Sequence, residues 1–555
     1  MKMIKGFPST SMNDYQLNTT TIIRHAAGNF PEREIVYRTP AGISRYTYRD
    51  AYERMMRTAN VLKGMGIGPG DRVGVLDWNT RRHYELYFAI PGTGAVILQM
   101  NLRIPPVDLV YVVNHSEARL IFVDESLLPI AEAIAPELKT VQGYVIMTDK
   151  KLSEIKTSLS PVYSYEDLLA EADPFYDWPM IDEDSAYSAC YTSGTTGRPK
   201  GVYYSHRCIY LHTLEINSYI GIKCDDCYIA IVPMFHGQSW GLFFAATFAG
   251  AKLIFPGRYV AEDPVPLLEL MARERVTVTN GAPAIFMPML NCIKKMEVKP
   301  DFNGARLLSG ATEPPLAMMK GWKELTGADI IHAYGATETT PLVTINILKP
   351  SLKERLTGEE SWEMRKKQGL TVTGIDLKIV DSEGREQPRD GKTVGEIMIR
   401  GAWITGSYYN DPRTEESFLD GYWKSGDAGT IDPEGYLKIV DRYKDVIKSG
   451  GEWISSVDLE NTIMGYPGVL EAVVVGLSHP RWEERPLALV VLSEEAKGKV
   501  TKEEIIAFLK ANFAKWQLPD DLLFVDEIPK TSVGKFNKKE IRHIYKEHYM
   551  RKSAG

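Results

Sequence analysis

Residues Tyr191-Thr-Ser-Gly-Thr-Thr-Gly-Arg-Pro-Lys-Gly201 gather four hydroxyls (Thr192, Ser193, Thr195, Thr196), three glycines (Gly194, Gly197, Gly201) and Lys200 in one short stretch. Glycines let backbone N–H groups approach phosphate oxygens, hydroxyls add donors, and the lysine adds a point charge. Such a loop suits a nucleoside triphosphate, whereas a solvated turn has no need of so many donors. It is not the G-x-x-x-x-G-K-[ST] loop of kinases and ordinary ATPases, because Pro199 precedes Lys200 and Gly201 follows it. The expectation is an ATP-using enzyme whose chemistry is not γ-phosphate transfer.

Outward from this loop, short apolar runs alternate with helical stripes. Tyr48 to Gly64 carries Ala51, Met55, Met56, Ala59 and Leu62 at helical spacing, and Arg72–Leu76 then reads as a strand. Further buried strands are expected at 120–123, 252–255, 277–279, 306–308 and 329–331. From Gly374 to Gly401 the pattern turns β-rich, and the charged run Asp441-Arg-Tyr-Lys-Asp445 reads as a hinge. The last part can fold separately, with strands at 472–475 and 487–492. A capping box, Thr501 with Glu504, opens a helix there that should bury Ile505, Ile506, Phe508, Leu509 and Phe513. The fold class expected is α/β. It comprises an N-terminal body of layered α/β subdomains over 1–440, β-rich from about 350, then a hinge at 441–446 and a small mobile α+β domain over 447–555.

Bulk composition narrows the function. With 65 Lys and Arg against 72 Asp and Glu, the net charge of −7 gives no footprint for nucleic acid, and no basic run suggests a membrane anchor. The apolar stretch from Tyr228 to Phe255 is broken by Pro233, His236, Gln238 and Ser239, so it reads as core lining and at most peripheral membrane contact is expected. Five cysteines and an N-terminus without an apolar signal core point to a reducing cytoplasm. Cys224 and Cys227 form a C-x-x-C, but no second pair or nearby histidine completes a metal site.

Four further segments carry chemistry. His332-Ala-Tyr-Gly-Ala-Thr-Glu338 follows a buried strand, where ligands of α/β sheets sit. Trp423-Lys-Ser-Gly-Asp427 isolates a carboxylate in an expected turn. Tyr443 to Trp453 joins cations to Gly450 and Gly451, and Pro529 to Phe536 is a basic loop. In this order and at these separations, the five segments resemble the adenylate-forming family of acyl-CoA synthetases, luciferases and amino-acid-activating domains, from about residue 30 to 540. The wording at Val232-Pro-Met-Phe-His236 and around the hinge is most similar to bacterial and archaeal fatty acyl-CoA ligases.

The resemblance implies a two-step reaction. A carboxylate attacks the α-phosphate of ATP, pyrophosphate leaves, and the thiol of CoA then displaces AMP from the acyl-adenylate. The first step joins two anions, so it calls for concentrated positive charge and placed donors. By resemblance, Thr192, Ser193, Gly194, Thr195, Thr196, Gly197 and Lys200 take the phosphates, and Thr195 and Glu338 hold Mg²⁺, which prefers such hard oxygens. Tyr334 would stack on adenine, with backbone at Gly310, His332, Ala333 and Gly335 along its edge, and Thr337 would donate to the α-phosphate. Asp427 would accept both ribose hydroxyls, and Arg442, Lys444 and Lys448 are hinge cations reaching ribose or phosphate. Lys535 would join carboxylate and α-phosphate oxygens during adenylation. The domain carrying it would then rotate about Lys444, bringing Gly450, Gly451 and Trp453 to the CoA tunnel.

His236, Gly237 and Trp240 match the acyl entrance of fatty acyl ligases, with Trp240 as gate or as ordinary packing. Gly335 stands where acetyl-specific relatives carry tryptophan. It either leaves the pocket floor open for medium- to long-chain acids or serves a close backbone approach. The expected enzyme is a cytoplasmic, Mg²⁺-dependent, AMP-forming fatty acid–CoA ligase, a homodimer by resemblance. A ligase for a short, branched or aromatic acid, an adenylating oxidase and a nucleotide-binding scaffold are the competing readings.

Overall fold

The computed structural model describes residues 3–12, 14–192, 198–260, 263–443, 446–449, 452–530 and 536–552. The chain parts into two compact units, Met1–Leu102 with Pro106–Tyr259, and Arg103–Pro105 with Val260–Gly555. That boundary falls inside the segment read from sequence as a single N-terminal body.

In the first unit, β1 (Glu34–Thr39) and β2 (Gly42–Thr47) form a hairpin that extends a parallel ladder of β10 (Cys227–Ile229) and β11 (Lys252–Phe255). The other strands are β3 (Arg72–Leu76), β4 (Val96–Gln99), β5 (Leu120–Asp124), β6 (Tyr144–Met147), β7 (Val162–Ser164), β8 (Ala186–Thr192) and β9 (Lys200–Ser205). They make a seven-stranded sheet in the order β7-β6-β5-β3-β4-β8-β9, parallel except for β9. Apolar runs such as Leu120-Ile-Phe-Val123 are fully buried, as parallel strands covered on both faces require. The helix Tyr48–Gly64 opens on a capping box between Thr47 and Asp50. An aromatic cluster of Tyr84, Tyr87, Phe88, Phe243 and Phe244 fills the core of this unit.

In the second unit, β12 (Val278–Gly281), β13 (Arg306–Ser309) and β14 (Asp329–Tyr334) run parallel. β15 (Thr344–Ile345) and β16 (Leu370–Thr371) continue them antiparallel. The stretch 350–366 is two short helices, Pro350–Arg355 and Gly358–Lys366, so the β-rich part begins only at Leu370. There β17 (Ile375–Val380), β18 (Gly395–Gly401), β19 (Phe418–Leu419), β20 (Tyr422–Ile431) and β21 (Leu437–Arg442) form a five-stranded antiparallel sheet.

The C-terminal segment builds its own sheet from β22 (Ile447–Ser449), β23 (Glu452–Ile454), β24 (Val469–His479), β25 (Glu483–Leu492) and β26 (Asp521–Phe524). Alternation along β24 sends Ala472 and Val474 into one hydrophobic cluster and Val473 and Val475 into another, both made only from residues after 446. The helix Lys502–Leu509 has the expected capping box at Thr501 and Glu504 and buries Ile505 and Leu509. Phe508, expected inside, is 37 % exposed and meets Tyr466 edge-on, at the margin of the face that Ile505 and Leu509 bury. Among the described residues no helix is long and apolar enough to cross a membrane.

Candidate active site

The glycine- and hydroxyl-rich stretch is the connection of a β-hairpin. Tyr191 pairs with Gly201 and Thr192 with Lys200, so β8 and β9 hold both ends of the loop in register. Ser193, Gly194, Thr195, Thr196 and Gly197 lie outside the described residues. Two clamps grip the stem. His115 Nδ1 is 2.9 Å from Tyr191 Oη, and the Arg198 guanidinium sits over the Tyr111 ring at 5.1 Å. Thr192 Oγ1 is buried with no hydrogen-bond partner among the described residues. A buried hydroxyl of that kind is costly unless a ligand or water engages it, so its position fits an anion-binding loop.

The segment that resemblance reads as the acyl entrance has an unusual backbone. Gly237, Gln238, Ser239, Trp240 and Gly241 all have positive φ, at 51, 53, 50, 56 and 75°. L-residues pay roughly 1–2 kcal/mol each in this left-handed region, so the turn persists only because its surroundings fix it. Ser188 Oγ donates to Gln238 Oε1 at 2.9 Å, and Ser239 Oγ donates to the Val232 carbonyl at 2.8 Å. His236 is exposed, Gly237 is buried and Trp240 is half-buried. Sequence reading identified Trp240 but had no signal for Ser188, which is fifty positions away from its partner.

In the second unit, His332, Ala333 and Tyr334 end β14 at its carboxyl edge. His332 Nδ1 donates to the Lys366 carbonyl at 2.6 Å, yet burial lowers the ring to about 4, so the imidazole is neutral at pH 7. Gly310 follows β13, and Thr337 and Glu338 open a 3₁₀ turn. Gly335 is held by close approach. A Cβ there would stand 1.6 Å from the Pro341 carbonyl oxygen, so of its two readings the backbone requirement is the one the geometry carries.

Tyr334 Oη donates to Asp427 Oδ2 at 2.6 Å, and Arg442 Nη1 lies 3.0 Å from Asp427 Oδ1. Burial first, and then the Asp427 carboxylate, push the Tyr334 phenol far above its ordinary range. Asp427 does not sit in a turn, as expected, but inside β20, directly opposite Arg442 on β21. Two steps along β18, from Glu396 to Met398, face four along β20, from Lys424 to Ala428. Gly426, at φ 69°, accommodates the resulting bulge, which re-aims Asp427 out of the regular ladder.

Glu338 is buried, and Tyr408 Oη donates to its Oε1 at 2.7 Å while Trp423 Nε1 donates to Tyr408 Oη at 3.0 Å. This relay fixes the carboxylate without cancelling its charge. Tyr408 was missed in the sequence because nothing in a lone tyrosine seventy positions downstream marks it. Lys448 lies over the Trp453 ring at 5.0 Å, and both line a cavity of about 460 Å³ with Tyr443, Lys392 and Thr393. Lys444, Gly450, Gly451 and Lys535 lie outside the described residues. Cys224 is exposed and Cys227 buried at the start of β10, so the two thiols face different surroundings.

The sequence profile of the AMP-binding enzyme family matches residues 23–409, and that of the AMP-binding enzyme C-terminal domain matches residues 458–535. Over 553 residues, covering 98 % of both chains, the protein is 43 % identical to a long-chain-fatty-acid–CoA ligase of Thermus thermophilus. It is 38 % identical to a 3-methylmercaptopropionyl-CoA ligase of Ruegeria lacuscaerulensis, covering 95 % of this chain and 97 % of that one. It is 36 % identical to a medium-chain-fatty-acid–CoA ligase of Ectopseudomonas oleovorans, covering 97 and 98 %. The crystal structure of the anthranilate CoA ligase AuaEII with anthranoyl-AMP superposes with a TM-score of 0.84, covering 97 and 99 % at 24 % identity, a likeness of fold. With the β8–β9 hairpin, the β14 edge and a C-terminal sheet with its own cores described, and both family profiles matched, this chain belongs to the AMP-binding enzyme family.

Proposed function

We propose that the protein activates a medium- to long-chain fatty acid with ATP, forming an acyl-adenylate and pyrophosphate, and then transfers the acyl group to CoA. The observation that carries this reading is the end-to-end likeness to a long-chain-fatty-acid–CoA ligase, and Tyr334, Asp427 and Arg442 form a connected unit beside it. Asp427 accepts from the ribose, Tyr334 packs on the base, and the hairpin loop with Thr192 and Lys200 binds phosphate oxygens. Arg442 and Lys448 add positive charge near the nucleotide, and Lys535 bridges the reacting carboxylate and α-phosphate. Neutral His332 and the tethered Gly335 shape the backbone at the edge of the base.

The residues present fit Mg²⁺. Glu338 is a buried, oriented carboxylate, a hard oxygen donor of the kind that ion takes, and Thr195 would complete the pair. When bound, the ion supplies charge neutralisation between phosphate oxygens. Trp240, held by the left-handed turn, borders the acyl entrance with His236 and Gly237. Residues 447–555 act as a mobile domain about a hinge at 441–446, and Gly450, Gly451 and Trp453 serve the CoA step. We read the molecule as a cytoplasmic homodimer, which sedimentation would check.

A specific observation favours a second reading, a ligase for a short acid: the likeness to the 3-methylmercaptopropionyl-CoA ligase is nearly as extensive. Pyrophosphate release with acetate, octanoate, palmitate and a short thioether acid separates the two. Highest kcat/KM with octanoate or palmitate supports the fatty-acid reading, and highest kcat/KM with a short acid overturns it.

A further inference from the structure

Three residues beyond Lys535, Lys538 opens the helix Lys538–Tyr545 and points its ammonium into a buried acidic pocket. Its Nζ donates to Ser456 Oγ, lies 2.9 Å from Glu460 Oε1 and 3.7 Å from Asp441 Oδ1. Ser456 Oγ in turn donates to Asp441 Oδ2. Side-chain exposures of 13 % for Lys538, 11 % for Glu460 and 4 % for Asp441 show that water does little of the screening. Among the described residues, two carboxylates therefore share the Lys538 ammonium. Burial first raises the Glu460 carboxyl, and the nearby Lys538 charge works against that rise.

The pocket joins elements that differ in origin. Ser456 and Glu460 belong to the helix Ser456–Met464, which packs on β24, where Val474 N donates to Glu460 Oε1. Asp441 belongs to β21 and pairs with Ala428, next to the Asp427–Arg442 pair. Two more bonds cross the same way: Lys438 Nζ to Asp458 Oδ2 at 2.8 Å and Asn461 Nδ2 to Glu313 Oε1 at 3.2 Å. The residues flanking 531–535 are joined by a bridge between Lys530 and Phe536 and by Asn537 N donating to the Pro529 carbonyl. Whatever fixes Lys538 thus fixes the paired residues on either side of 531–535.

We propose that Lys538 is a positioning residue for adenylation, clamping the chain on either side of Lys535 to β21 through Asp441 in a contact that must break when the C-terminal segment turns. This rests on the role given to Lys535 above. Charge and hydrogen bonding to Asp441 supply the clamp, and the register of β21 with β20 ties it to the ribose-binding pair.

The test compares half-reactions in the full chain: pyrophosphate release from ATP and octanoate without CoA, and thioester formation from supplied octanoyl-adenylate and CoA. Lys538→Met is expected to slow the first by about tenfold or more and leave the second within about twofold. Lys538→Arg should recover most of the first. Asp441→Asn, which leaves the helix Lys538–Tyr545 intact, should slow the first in the same direction. The double variant should be no slower than Lys538→Met, since both act through one contact. An equal fall in both half-reactions, no change in either, or additive losses in the double variant would each overturn the proposal. A wild type that releases no pyrophosphate with any fatty acid would instead sink the function. Intact adenylation in Lys535→Ala would sink the role of that lysine.

Discussion

Tyr334 Oη and Asp427 Oδ2 are 2.6 Å apart, and with Arg442 on the other oxygen the Asp427 carboxylate is engaged by protein on both sides. A carboxylate oxygen accepts more than one hydrogen bond, so a ribose can share Asp427 rather than displace its partners. The tyrosine and arginine orient the acceptor.

Asp427→Ala should therefore do two things. It should raise the KM for ATP and lower kcat/KM by about 30-fold or more, with 2′-deoxy-ATP affected less, because a shielded carboxylate–hydroxyl bond is worth about 2 kcal/mol. It should also lower Tm, since the buried Tyr334 Oη loses the carboxylate that accepts its hydrogen bond. Adding Tyr334→Phe should recover the Tm and not the ribose discrimination. Equal loss for ATP and its deoxy analogue would place Asp427 elsewhere in the mechanism.

Lys535→Ala should nearly abolish acyl-adenylate formation and spare thioester formation from supplied acyl-adenylate. Loss of a charge made only at the adenylation transition state costs roughly 3 kcal/mol or more. Parallel decline of the two half-reactions would contradict a two-pose mechanism.

Substitution of Gly335 tests backbone against pocket. A new Cβ meets a main-chain oxygen at 1.6 Å, so Gly335→Ala should lower Tm and reduce kcat/KM for acetate, octanoate and palmitate alike. A soluble Gly335→Trp enzyme that gains relative preference for acetate would restore the reading of this glycine as the open floor of the acyl pocket.

Glu313 gives a pH-dependent contribution with a definite sign. Burial raises its carboxyl to about 7, Lys366 at 3.7 Å opposes that rise, and the Asp458 charge adds to it. The folded form binds this proton more tightly than the unfolded chain. Its contribution is complete below the unfolded value, about 4.3, and is lost as pH rises through about 7, a span of about 4 kcal/mol. Glu313→Gln should thus raise Tm relative to wild type at pH 8 and shift it little at pH 4. An unchanged Tm difference across that interval would refute the assignment.

Much of the architecture is readable in the chain because parallel strands buried on both faces leave uninterrupted apolar runs, as at Leu120–Val123 and Leu253–Phe255. The cap at Thr501 is legible for a similar reason, being purely local. The helices over 350–366 are not, since Gly358–Lys366 buries no residue and so carries no apolar stripe. Asp427 was misplaced because Ser-Gly-Asp is turn chemistry, and only the unequal pairing with β18 turns it into a bulge. Tyr408, Ser188 and Lys538 act on partners 70, 50 and 82 positions away, distances at which spacing holds no information.

The five left-handed residues from Gly237 to Gly241 impose a filter on handedness rather than on size or polarity. At Gln238, Ser239 and Trp240, glycine should relieve the backbone, asparagine or aspartate should follow, and a β-branched residue of any polarity should be the worst tolerated. A D-amino acid introduced by chemical synthesis would meet no such penalty. Variation along this stretch is therefore rationed by mirror symmetry: the side chains that can be tried there are those whose backbones accept the turn.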